Sequence, residues 1–158
     1  MKLGVLHPGA MGVTIGAALK ASGHEVLWLK EGRGEETVRR ATEAGLVSVP
    51  AIGELVGQCA GLVSVCPPHA ATAVAAAVKQ AGFTGSYLDG NAVAPATARQ
   101  IHDLIGDTFV DGGIVGPPAL RPGTTRLYLS GNDAAAVAGW FSDDVLGVHV
   151  VPGPAGAA

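Results

Sequence analysis

The amino-acid sequence predicts a single α/β domain, a doubly wound and mostly parallel sheet that lies between two layers of helices. Short apolar runs, which are typical of strands buried on both faces, alternate with longer helical patterns along nearly the whole chain. The 158 residues suffice for one domain, and no repeat, low-complexity tract or internal linker divides them. Because crossovers between parallel strands are right-handed, we expect helices on both faces and therefore three layers.

In the first half of the chain, glycines mark where helices end. Gly23 follows the first helical pattern and Gly45 follows the second, as expected of C-terminal capping residues. Strands are predicted at Lys2–Leu6, Glu25–Leu29, Leu46–Val49 and Leu62–Cys66, and helices at Ala10–Ser22, Glu35–Ala44 and Pro50–Cys59.

In the second half, prolines mark where helices begin, because proline is tolerated in the first helical turn. Helices are predicted from Pro67-Pro68 to Gln80, at Pro95–Ile105 and at Asp133–Phe141. Strands are predicted at Ser86–Asp89, Thr108–Asp111, Arg126–Ser130 and Val148–Val151. The glycines and prolines from Gly112 to Gly123 predict a loop, and Asp111 is interpreted as a turn-forming aspartate at its start.

Composition excludes several classes of protein. Hydrophobic residues make up 48% and charged residues 15%, against a usual charged share of about 25%, which excludes intrinsic disorder. The net charge of −3 provides no basic surface, so we expect neither nucleic acid nor a membrane as partner. The uncharged stretch 55–78 contains Pro67, Pro68 and His69, which argue against a membrane span. We therefore expect a soluble, cytoplasmic protein.

No arrangement of residues predicts a metal site or hydrolase chemistry. Cys59 and Cys66 have no other cysteine or histidine at ligand spacing, so both are expected to be free thiols. Cys66 has no basic neighbour in the sequence that would activate it. No Ser-His-Asp set or carboxylate pair suggests a catalytic site of that kind.

The turn between the first strand and the first helix is the strongest functional signal. It comprises His7, Pro8, Gly9, Ala10, Met11 and Gly12. A dinucleotide-binding fingerprint has glycine at the first, third and sixth of these positions, for the tight turn, the approach of the diphosphate and helix packing. Gly9 and Gly12 match, whereas His7 replaces the first glycine. The alternative interpretation is an ordinary tight turn.

The loop after the second strand favours NADP(H) over NAD(H). NAD requires a carboxylate for the ribose hydroxyls, whereas NADP requires cationic groups around its extra phosphate. Lys30 and Arg33 fit NADP, while Glu31 fits NAD. NADP(H) is the predicted cofactor, and NAD(H) is the alternative.

Several segments in the same order resemble the N-terminal cofactor domain of the β-hydroxyacid dehydrogenases. That family includes 6-phosphogluconate dehydrogenase-like enzymes and the related imine reductases. The similar segments are Gly9–Gly12, Gly23–Val26, Ser64–Pro68, Asp89–Pro95 and Phe109–Thr124. The resemblance implies a Rossmann-like fold and hydride transfer between a nicotinamide cofactor and a small carbonyl, hydroxy acid or imine.

The resemblance also implies roles for residues outside the first turn. Cys66, Pro67 and Pro68 would lie along the dinucleotide, and Asn91 would lie near its nicotinamide end. Val115, Gly116 and Pro117 align with the substrate-side segment, where dehydrogenases that bind a substrate carboxylate have a serine followed by two glycines. Because the serine hydroxyl is missing, a carbonyl or imine less polar than a 3-hydroxy acid becomes the more plausible substrate.

By the same resemblance, residues 1–152 form the nucleotide-binding domain and 153–158 begin a linker to a second, helical domain. The family's catalytic lysine, or another proton donor, would lie beyond Ala158, so no catalytic residue is predicted within the chain. The second domain would form a homodimer. A non-catalytic module that senses a dinucleotide is the alternative function, because fold alone does not separate the two.

Overall fold

The computed structural model describes all residues from 1 to 158 and contains one sheet of eight strands. The strands are β1 (Lys2–Val5), β2 (Glu25–Leu29), β3 (Val47–Val49), β4 (Gly61–Ser64), β5 (Ser86–Asp89), β6 (Phe109–Val115), β7 (Thr125–Ser130) and β8 (Leu146–Val150). The helices are α1 (Ala10–Ala21), α2 (Glu35–Glu43), α3 (Ile52–Gln58), α4 (Ala71–Gln80), α5 (Pro95–Ile105) and α6 (Ala134–Ala138). A short 3-10 helix, Pro68–Ala70, precedes α4.

The predicted α/β class and the mostly parallel sheet are confirmed. The strand order is β3-β2-β1-β4-β5-β6-β7-β8, and β6 and β7 form the antiparallel pair. The order reverses between β1 and β4, so β1 leads outward to β2 on one side while β4 lies on the other. A cleft at the carboxyl ends of strands at such a reversal is where open α/β sheets bind ligands.

Helices cover both faces of the sheet, as predicted, and each face has its own apolar core. On one face, Ile15 of α1, Ala41 of α2 and Val137 of α6 pack with Trp28 of β2. On the other face, the core includes Leu55 of α3, Val78 of α4 and Ile101 of α5, together with Tyr87 and Phe109 from the strands. The continuous apolar strands follow from this two-sided burial, because their alternate residues enter different cores.

The predicted loop from Gly112 to Gly123 is wrong in its first part. β6 continues through Gly112 and Gly113 to Val115, and β7 pairs with it in antiparallel register. Pairing with β7 provides ladder hydrogen bonds that compensate for the low strand propensity of glycine. A Cβ at Gly112 would meet the backbone oxygen of Asp89 at 3.0 Å, so close packing of neighbouring strands uses this glycine.

Two element ends near the C-terminus also differ from prediction. The last helix covers Ala134–Ala138 rather than 133–141, and β8 begins at Leu146, two residues before the predicted start. Trp140 lies after the end of α6, and its buried side chain packs in the core on the face of the sheet that α1 covers. None of the helices combines the length and apolarity that crossing a membrane would require.

Residues 153–158 pack against the domain. Ala155 is buried, the amide of Gly156 donates to Oδ2 of Asp111 at 3.0 Å, and the amide of Ala158 donates to Oγ of Ser130 at 3.0 Å. The interpretation of Asp111 as a turn former is therefore wrong. Its carboxylate lies within a strand and accepts a hydrogen bond from residues far away in sequence.

Candidate functional site

The start of α1 leaves backbone amides free at the carboxyl end of β1. Gly9 is the N-cap residue in extended conformation, and no side chain caps the helix. The first turn also contains no acidic residue. Uncapped amides and the helix dipole together favour an anion at this position. A Cβ built on Gly9 meets no atom within 4 Å, so the space in front of the turn is open.

Gly12 serves packing rather than an open site. A Cβ at this position would collide with the backbone carbonyl oxygen of His7, because α1 passes directly behind the end of β1. The two glycines therefore differ in their surroundings, with Gly9 beside open space and Gly12 against the chain.

Two clefts adjoin this turn. One, of about 230 Å³, lies at the start of α1 and is lined by His7, Gly9, Arg33, Thr37, Val65, Cys66 and Pro67. The other, of about 240 Å³, is mostly apolar and is lined by Leu6, His7, Leu29, Arg33, Ile52, Ala70, Ala73, Val74 and Ala77. The first can accept charged groups at the helix end, and the second can accept a flat apolar ring.

His7 and Arg33 line both clefts and therefore lie where the two meet. Nδ1 of His7 and Nε of Arg33 are buried without a hydrogen-bond partner in the protein. Burial, followed by the charge of Arg33, lowers the pKa of His7 to about 4, so the imidazole is neutral near pH 7. Burial also lowers the pKa of Arg33 below its usual value.

Asn91 ties together the loops that follow β4 and β5. Its Nδ2 donates to Oγ of Ser64 and lies 3.3 Å from Sγ of Cys66, while its Oδ1 accepts the amide of Cys66. Its own amide donates to Oδ1 of Asp89 at 2.9 Å. The side chain of Asn91 thus holds the loop of Cys66 and Pro67 in place, a structural role that its position in the sequence did not reveal.

Asn91→Ala is expected to lower the free energy of unfolding by about 2 kcal/mol, because it leaves the Cys66 amide without its acceptor and removes the amide that donates to the buried Ser64 hydroxyl. Urea denaturation of both proteins measures this difference. Asn132→Ala, at an exposed position, is the matched control and should stay within about 0.5 kcal/mol of the wild type. Equal stability of the two variants would contradict the role of Asn91.

The thiol of Cys66 is not activated. Burial raises its pKa, and this outweighs the opposite effects of the Ser64 and Asn91 hydrogen bonds and of Arg33. The sequence interpretation that Cys66 has no basic neighbour is wrong, because Arg33 lines the same cleft. The conclusion that the thiol is unreactive is nevertheless supported.

A row of buried polar residues crosses four neighbouring strands of the sheet, and sequence reasoning missed it. Ser64, Asp89, Asp111 and Ser130 are in register on β4, β5, β6 and β7. Burial, together with the nearby charge of Asp111, raises the pKa of Asp89 to about 6, and its Oδ2 has no partner. Burial raises the pKa of Asp111 as well. The polar residues that end three of these strands, Ser64, Asp89 and Ser130, were the available signal.

The remaining predicted site residues surround the same edge of the sheet. Lys30 and Glu31 follow β2 and are exposed, but neither lines a cleft. Val115 ends β6 and is 58% exposed, and the neighbouring Gly116 has a φ of 123°, a conformation that favours glycine. The structure brings Pro8, Ala10, Met11, Pro68 and Pro117 to this edge as well.

A larger cavity of about 640 Å³ lies elsewhere, between α5 and residues 154–157. None of the predicted site residues lines it. The candidate site therefore rests on the turn geometry and the two smaller clefts rather than on cavity size.

A sheet whose order reverses beside a glycine-built turn and an uncapped first helix defines a Rossmann-like α/β domain. Solved structures similar to this chain include dehydrogenases and an imine reductase, the kinds of protein that the sequence motifs indicated. The predicted resemblance to the β-hydroxyacid dehydrogenases and imine reductases is therefore confirmed at the level of the fold.

Three structures illustrate this similarity, and each alignment covers 99% of this chain. A conserved protein of unknown function, described as similar to 3-hydroxyacid dehydrogenases, has a TM-score of 0.85 at 26% identity. The 3-hydroxyisobutyrate dehydrogenase of Mycobacterium tuberculosis, solved with L-serine, has a TM-score of 0.81 at 18% identity. The reductive aminase of Aspergillus terreus, solved with NADPH and ethyl levulinate, has a TM-score of 0.79 at 21% identity.

This chain covers 59%, 55% and 56% of those three chains, respectively. No protein-family model matches the chain, and no curated protein sequence matches it.

Proposed function

We propose that this chain is the cofactor-binding domain of an NAD(P)-dependent oxidoreductase. The observation that carries this proposal is the open space at Gly9 in front of the uncapped start of α1, at the reversal of strand order. A dinucleotide diphosphate fits such a site because backbone amides and the helix dipole both favour negative charge. When bound, the nicotinamide supplies the hydride-transfer chemistry, and the protein supplies its position.

The clefts divide the proposed ligand into parts. The diphosphate occupies the turn from His7 to Gly12, with its oxygens at the free amides of α1. The adenine occupies the apolar cleft between β2, α3 and α4, which the side chains of Leu29, Ile52 and Val74 line. The nicotinamide half extends along the loop of Cys66, Pro67 and Pro68, which Asn91 holds in place.

The charges around the clefts support NADP(H) as the preferred cofactor. Arg33 lines both clefts, and Lys30 lies in the same loop. Neither cleft is lined by an aspartate or glutamate, and Glu31 is exposed outside them. A ribose with free hydroxyls would find no carboxylate there, whereas a ribose 2′-phosphate would find a guanidinium. NAD(H) is the alternative.

Arg33→Ala is expected to weaken NADPH binding at least about tenfold, because it removes a charge-assisted contact with the 2′-phosphate. NADH binding should change by less than about threefold. Fluorescence titration of both cofactors against both proteins measures these affinities. Tighter binding of NADH by the wild type, or an unchanged preference in the variant, would disprove the NADP assignment.

The proposed substrate is a small carbonyl, hydroxy acid or imine near Val115, Gly116 and Pro117. The solved dehydrogenase and reductive aminase support this range of chemistry. The exposed Val115 favours the less polar members of the range. The homodimer and the proton donor beyond Ala158 are part of the same proposal.

A spectrophotometric assay of the complete gene product tests the enzymatic function. Aldehydes, imines and 3-hydroxy acids are offered with each cofactor, and cofactor oxidation or reduction is followed. Turnover of at least one class supports the enzyme. A protein that binds the cofactor and turns over none of them is a dinucleotide-sensing module instead.

A further inference from the structure

His7 stands where the dinucleotide-binding fingerprint has its first glycine, and its surroundings suggest a function for the histidine. The imidazole lies with Arg33 at the junction of the apolar cleft and the cleft at the start of α1. A ligand with its base in the apolar cleft and its diphosphate in the cleft at the start of α1 must place the intervening ribose at this junction. Both side chains there have a buried nitrogen without a partner.

Two unpartnered nitrogens at one junction, both able to donate, favour a ligand group rich in acceptors. Nε of Arg33 is always a donor, and the neutral imidazole of His7 donates from one nitrogen. No carboxylate lines either cleft to accept from them. A neutral ribose hydroxyl is a weaker acceptor and pairs best with one donor, whereas the oxygens of a charged phosphate can accept hydrogen bonds from both nitrogens.

We propose that His7 is a specificity-determining residue that binds the 2′-phosphate of the adenosine ribose together with Arg33. This inference rests on the proposed function and assigns to His7, at the position of the fingerprint's first glycine, a role in discriminating between NADP(H) and NAD(H). His7 thereby acts on the adenosine end of the ligand and takes no part in hydride transfer.

Phosphate binding at His7 implies proton uptake. The pKa of the free imidazole is held at about 4 by burial and by the charge of Arg33. A phosphate that neutralises Arg33 and adds negative charge beside the ring raises this pKa toward neutrality. The other ionisable side chain of the two clefts is the thiol of Cys66. Lys30, Glu31, Glu35, Glu36 and His69 are exposed and close in sequence to lining residues, and the facing parts of α3 and α4 provide Ile52, Val74 and alanines.

The experiment uses 2′,5′-ADP and 5′-AMP, which differ only in the 2′-phosphate, together with NADPH and NADH. Each is titrated calorimetrically into the wild type, His7→Ala and His7→Asn, from pH 6 to pH 8. His102→Ala is the control, since His102 lies on α5 and lines neither cleft.

We expect His7→Ala to weaken the binding of 2′,5′-ADP and NADPH about tenfold at pH 6, and to leave the binding of 5′-AMP and NADH within about twofold of the wild type. Binding of 2′,5′-ADP by the wild type should strengthen toward pH 6 more steeply than binding by His7→Asn. The ionisation of the phosphate itself is common to both proteins and cancels in this comparison.

Equal losses for the phosphorylated and unphosphorylated ligands would overturn the inference, because His7 would then act on the ribose, the diphosphate or the fold. Unchanged affinities would overturn it as well. If the wild type binds NADH and NADPH, such results leave the proposed function intact. If it binds neither cofactor, the proposed function fails together with the inference.

Discussion

Gly9→Val is expected to reduce the affinity for dinucleotide at least about a hundredfold while the domain stays folded. The added side chain would extend into the open space where the diphosphate is proposed to approach the amides of α1. Each lost hydrogen bond to a charged group costs about 1.5–3 kcal/mol, so losing two suffices for this effect. Titration with NADPH measures the affinity, and circular dichroism measures the fold.

Two other glycines provide the controls. Gly53 lies in α3, where a Cβ also meets nothing within 4 Å, so Gly53→Val tests the general effect of the substitution. Gly12→Val should instead unfold or strongly destabilise the domain, because its side chain would collide with the carbonyl oxygen of His7. Retained affinity in Gly9→Val would mean that the diphosphate binds elsewhere.

Asp89→Asn is expected to raise the free energy of unfolding at pH 7.5 by on the order of 3 kcal/mol. The pKa of Asp89 rises from 3.8 to about 6 in the folded protein, because its carboxyl is fully buried and Oδ2 has no partner. Keeping this group ionised therefore opposes folding at neutral pH. Asparagine removes the charge and keeps the oxygen that accepts the Asn91 amide.

The dependence on pH distinguishes this charge effect from a change in packing. A carboxyl with a raised folded pKa contributes stability that is fully present below pH 3.8 and is lost as the pH rises through about 6. The advantage of the variant should therefore be near zero at pH 4 and reach its full size above pH 7. Urea denaturation across this range measures it. An advantage that is constant with pH would contradict the assignment.

The stability of Asp89→Asn must be compared with that of the wild type at each pH, because His7 also changes stability over this pH range. Its pKa is lowered from 6.5 to about 4, so its contribution to stability is present above pH 6.5 and is lost as the pH falls through about 4. Over the same range, Asp89 changes stability in the opposite direction. The two effects partly cancel in the wild type, whereas the difference between variant and wild type isolates Asp89.

The element pattern was predictable because most of the strands are buried on both faces. Leu62 and Val63 of β4, for example, enter opposite cores, so consecutive positions of the strand are apolar and it stands out in the sequence. The extent of β6 was not predictable in the same way. Gly112 and Gly113 have low strand propensity, and only pairing with β7 makes them part of the sheet.

The sequence by itself determined the α/β class, the order of the strands and helices along the chain, and the turn from His7 to Gly12. These features depend on local periodicity and on neighbouring residues. The tertiary structure decided which polar groups share an environment. Arg33 meets His7 and Cys66, Asn91 holds the β4 loop, and Asp89 and Asp111 lie side by side. Burial and hydrogen bonding join residues that are distant in sequence, and these contacts exist only once the strands are in register.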